Sequence, residues 1–146
     1  MPVPLPAGTR THPSLDDLLP PGTIERLLGQ GDPNPEERDD RAASLSSVRE
    51  ALDLLRTTDA PAVLALLDRA VARWPYNAAG WAAKGWLYES LGRSGSALAC
   101  YNRVLMDLQV EAPFVYEGKA RSLASRGQQD AAAICRSRAL ALRADR

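Results

Sequence analysis

The chain repeats itself. Laid over one another at an offset of 35, residues 78–111 and 113–146 bring Trp81 onto Tyr116, Lys84 onto Lys119, Gly85 onto Ala120, Tyr88 onto Leu123, Gly92 onto Gly127, Ala97 onto Ala132, Cys100 onto Cys135 and Leu105 onto Leu140. Residues 44–77 align with the middle unit at an offset of 34, with Ala51 on Gly85, Leu54 on Tyr88, Leu67 on Tyr101 and Ala70 on Val104. Such a period constrains the fold more than composition does. Each unit is one supersecondary element that cannot bury its apolar face alone, so neighbours must stack.

The units are helical by period. Val63, Leu67, Ala70, Val71 and Trp74 recur at three- and four-residue spacing, as do Val48, Leu52 and Leu55. Pro61 and Pro113 suit first turns of helices, and Pro75 lies just beyond an end. Gly92 and Gly127 stand where C-terminal caps belong. These marks predict six helices, near 45–57, 61–74, 78–91, 95–108, 113–126 and 129–143. Gly85 falls in the middle of one of them, at a cost of about 1 kcal/mol against alanine. A close helix crossing explains it: Gly85, with Ala51 and Ala120 as counterparts and Ala97 and Ala132 on the second helices, removes side chains where backbones approach. Tyr88 and Tyr101 then fill the gaps beside them, and dispersion contacts offset the propensity cost.

A helical hairpin repeated at this period, with Trp81, Gly85, Tyr88, Ala97, Tyr101 and Pro75 in their places, resembles the tetratricopeptide repeat. The resemblance covers about 44–146 and implies an all-α fold: an α-solenoid of three stacked hairpins (44–77, 78–112 and 113–146). Lys84 and Lys119 depart from the family's leucine and predict a weakly filled slot. Arg136 replaces the middle unit's Tyr101, where no further unit follows and an arginine reaches water.

Ahead of the repeats lies an arm. Residues 1–43 hold eight acidic and four basic side chains and eight of the eleven prolines, whereas 44–146 hold ten acidic and fourteen basic. The sequence therefore divides near residue 43 into an acidic, proline-rich arm and a mildly basic body. Within the arm, "SLDDLLPPGTIERLLGQ" carries Leu15, Leu18, Leu19, Ile24, Leu27 and Leu28 in two short helical pieces, the first framed by Ser14 and Asp17. Helices so short need a surface to fold on. Either that surface is the chain's own groove or a partner, or the arm is a disordered tail, as Pro2, Pro4 and Pro6 would favour. Asn34, Pro35 and Glu37 read as N-cap, N1 and N3 of a further helix start, in preference to a calcium loop.

Zero net charge gives no footprint for nucleic acid and no polybasic membrane patch. No apolar run reaches the roughly 18 residues of a membrane span, and "MPVPLPAG" lacks the marks of a signal peptide. A cytoplasmic protein is expected. Catalysis finds no support. The single histidine, His12, lies in the arm, no His/Cys or His/carboxylate spacing suits a metal, and "GRSGS" (92–96) reads as a turn and helix N-cap. Cys100 and Cys135 sit one repeat apart, too far for a disulfide, and read as packing residues.

What remains is a surface. By the family resemblance, the first helix of each unit lines a concave groove, which here presents Val48, Leu52, Leu55, Ala82, Trp86, Glu89, Phe114, Glu117 and Arg121. Trp86 and Phe114 are not signature core positions: they either pack on neighbouring repeats or serve as aromatic anchors for a bound peptide or helix. Val48 and Leu52 are apolar where one subtype of the family carries carboxylate-gripping side chains, which argues against that subtype. The expected role is a non-catalytic adaptor or assembly subunit without a cofactor. The alternative is a self-assembly module that forms a homo-oligomer through its repeat end or by arm exchange.

Overall fold

The computed structural model describes residues 13–23, 34–55 and 59–145, and all regular structure among them is helical. Helix α1 covers Leu15–Leu18, α2 Pro35–Leu54, α3 Ala60–Arg73, α4 Ala78–Ser90, α5 Ser94–Asn102, α6 Pro113–Ser125 and α7 Gln129–Ala144. A π-helical stretch, Arg103–Asp107, continues α5, and Gln109 then takes a positive φ of 55°.

Local chemistry sets these boundaries. Asn34 accepts the Glu37 N–H at 2.8 Å, Pro35 sits in the first turn, and Glu36 and Glu37 oppose the helix dipole. No proline or glycine then interrupts the chain before α2 ends. The expected helix start at 34 and the expected helix over 45–57 are therefore one helix of 20 residues. The break in charge and proline content near residue 43 falls inside it, so residues 34–43 belong structurally with the body. Asp59 caps α3 through the Ala62 N–H, and Asn77 caps α4 through the Gly80 N–H. Gly92 and Gly127 have φ of 76° and 79°. Their N–H groups bond Glu89 and Ala124, and the next N–H groups bond Tyr88 and Leu123, the paired closure of a Schellman motif. Helix α5 starts after that turn at Arg93, without the side-chain cap expected within "GRSGS".

Consecutive helices pack in pairs: α2 on α3, α4 on α5 and α6 on α7. The pairs join through α3 against α4 and α5 against α6, while α2, α4 and α6 also touch in that order. The main buried cluster runs from Leu18 to Val115; a smaller one, Ala120, Leu123, Ala132 and Cys135, seals the last pair.

Tyr101 explains the mid-helix glycines. It is fully buried. A Cβ on Gly85 would lie 2.5 Å from its Cε1, and one on Gly118 would lie 2.5 Å from its Cζ. One ring is thus held between α4 and α6, and both helices need glycine there. Gly118 escapes the repeat alignment, which pairs Gly85 with Ala120, because its partner ring belongs to the preceding unit.

Two polar features complete the frame. The Ser44 hydroxyl donates to the Ala70 carbonyl at 2.5 Å and accepts from Asn77 Nδ2 at 2.8 Å, joining α2, α3 and the start of α4 in a buried node. The slot expected to be weakly filled by Lys84 is occupied. The side chain is only 11% exposed, its ammonium lies 2.8 Å from Asp68 on α3, and it stands 4.8 Å from the Trp81 ring centroid. The Trp81 indole N–H donates to the Pro75 carbonyl.

Candidate functional site

The groove expected on the first helices carries a cover. Helix α1 rests against both α4 and α6. Its single turn is closed by a capping box: the Ser14 hydroxyl accepts the Asp17 N–H, and Asp17 Oδ2 accepts the Ser14 N–H at 2.9 Å. This geometry sends Leu18 and Leu19 inward, where they are 0% and 3% exposed, with Leu15 packed beside them. Pro13 and Thr23 are buried at the two ends of the segment, while Asp16 and Asp17 face solvent.

The expected groove residues fall into two groups. Val48, Leu52, Leu55, Ala82 and Trp86 are buried in the same cluster as Leu18 and Leu19, with Phe114 partly buried against it. Trp86 is 4% exposed, a member of the main buried cluster. The charged group is paired within the chain. Glu89 accepts two hydrogen bonds from the Arg121 guanidinium and one from the Tyr101 hydroxyl at 2.8 Å. Glu117 accepts from Arg143. Burial pulls the Arg121 guanidinium down, but the hydrogen bonds and charge of Glu89 outweigh it and raise its pKa. Burial, and then the charge of Glu89, push the Tyr101 phenol well above its ordinary value.

The face is therefore apolar where the arm lies and internally neutralised beside it. Complete burial of two leucines contributes about 3–6 kcal/mol, and the conformational entropy lost by the ordered segment offsets much of that. Of the arm's expected docking residues, Ile24, Leu27 and Leu28 lie outside the described residues.

Open clefts lie elsewhere among the described residues. One, of about 420 Å³, lies between Pro20–Thr23 and Gln109–Glu111. Another, of about 270 Å³, lies on the last helix pair beside Leu140. Neither brings together an acid–base or nucleophilic set. Among the described residues, no group of three His, Cys, Asp or Glu side chains is placed to hold a metal ion. No described helix is long and apolar enough to cross a membrane. Cys100 and Cys135 are free and buried. Burial pushes the Cys100 thiol up to about 11 against the pull of Lys84, which suits a packing residue and not a nucleophile.

No family model matches the chain, and neither a curated protein nor a solved structure matches it.

Proposed function

We propose that this chain is a non-catalytic protein-interaction module: a short solenoid of three tetratricopeptide-like hairpins that takes a short apolar segment on the face made by α4 and α6. The observation that carries this reading is the seating of Leu18 and Leu19 on that face. A segment from outside the helical hairpins lies where the family resemblance puts a bound peptide, and it contributes buried leucines. The order of packing, each helix on its chain neighbours, supports the stacked arrangement. So does Tyr101, whose ring ties one pair to the next between two glycines. Titrating the full chain with a peptide of residues 13–23 while following its amide resonances tests the reading. Shifts centred on Ala82, Trp86 and Phe114 are expected; shifts confined to other helices contradict it.

A second reading is self-association through the last helix. It rests on Ile134 and Leu140, which are 72% and 70% exposed on α7. Light scattering tests it: a dimer that Leu140→Glu dissociates supports this reading, and a monomer refutes it.

A further inference from the structure

We infer that the arm is an intramolecular stand-in for the ligand, so that the face is closed in the isolated chain and opens to a partner segment of the arm's own chemistry: two adjacent leucines behind an acidic, capped helical turn. This rests on the reading of α4 and α6 as a binding face.

Three observations converge. First, the docked element is minimal. Helix α1 has 4 residues closed by its own capping box, so a partner segment with that pattern can close the same turn once it is seated on the face. Second, the grip on the face is apolar. The fully sequestered side chains at its centre are Leu18 and Leu19, while Asp16 and Asp17 point to water and meet no cation among the described contacts. Third, the charges beside the face are already satisfied within the chain. Arg121 is engaged by Glu89 and Arg143 by Glu117. Gripping a partner's C-terminal carboxylate would require breaking these pairs; seating two leucines requires only displacing two.

The consequence is competition. A ligand that needs the open face sees its affinity reduced by the fraction of molecules whose arm is lifted. A tethered arm also acts at a high effective concentration. Disabling the arm without touching the face must therefore raise apparent affinity.

The test compares two full-length chains, the parent and the double variant Leu18→Asp, Leu19→Asp. Each is titrated with a fluorescein-labelled peptide of residues 13–23, and binding is read by anisotropy. Circular dichroism checks helix content; should the double variant lose helicity, Leu18→Ala takes its place. The variant is expected to bind at least tenfold tighter than the parent, and a peptide carrying aspartate at both leucines is expected to bind neither. Equal affinity for parent and variant would overturn the inference while leaving the binding face standing. Absence of binding to both would overturn the face itself. A parent of twice the chain mass in light scattering, halved in the variant, would place the arm on a second copy and overturn closure within one chain.

Discussion

Gly118→Ala is the sharpest test of the packing. In the interior of an exposed helix this change stabilises by about 1 kcal/mol, because alanine has the better helix propensity. Here the added Cβ would lie 2.5 Å from Tyr101 Cζ and 2.6 Å from its hydroxyl oxygen. The ring has no easy retreat: Gly85 bounds its other edge, and its hydroxyl is held by Glu89. Overpacking of this kind costs about 1–3 kcal/mol. With so little room the upper part of that range applies, and the net expectation after the propensity gain is a loss of about 1–2 kcal/mol. At about 2.1 cal/mol/K per residue that lowers Tm by about 3–6 °C. Urea and thermal melts followed by circular dichroism measure it. The sign is decisive, because a variant at least as stable as the parent refutes the wedge. The cycle with Tyr101→Leu isolates the cause: without the ring, Gly118→Ala should become neutral or stabilising.

Ser44→Ala leaves the Asn77 amide without its buried acceptor and should cost about 1–3 kcal/mol in urea melts. Lys84→Met removes an ion pair whose partner is half-exposed and the cation–π contact with Trp81 but keeps the slot filled, so it should cost no more than about 1–2 kcal/mol in the same melts. In alkali, the unfolded Cys100 thiol ionises near 9 while the folded one holds its proton to about 11, so over that window the unfolded state binds fewer protons and stability falls as pH rises. Tyr101 adds a loss in the same direction at higher pH. Stability against pH should therefore decline from about 9 upward, and Cys100→Ala should flatten the curve between 9 and 11.

The six body helices were legible because their marks are local: Pro61 and Pro113 in first turns, Gly92 and Gly127 past ends, and apolar side chains at helical spacing between them. The full extent of α2 was not legible, although both of its signals were. A shift in charge and proline content looks like a boundary, yet Pro35 at a first turn is compatible with helix, and no breaker follows it. Gly85 was legible as a close crossing. Gly118 was not, since its need for space comes from a ring 17 positions earlier in another helix pair. Val48, Leu52, Leu55, Ala82 and Trp86 were chosen by helical face, and their burial was not read. Whether Trp86 is an anchor or a core residue depends on which other elements pack on its helix, and periodicity within one helix carries no information about that. Lys84 failed as a supposed defect for a similar reason: its partner Asp68 sits in the neighbouring helix pair.

The central claim, that residues 13–23 are seated on the face of α4 and α6, is tested most directly by amide hydrogen exchange on the isolated full-length chain at a concentration where it is monomeric. The Leu18 and Leu19 N–H groups bond the Ser14 and Leu15 carbonyls, and a turn of four residues holds such bonds only while docked. The account predicts protection of both amides well above the unfolded rate, lost in the Leu18→Asp, Leu19→Asp variant while the amides of α4 and α6 stay protected. Exchange of Leu18 and Leu19 at the unfolded rate in the parent chain would contradict it.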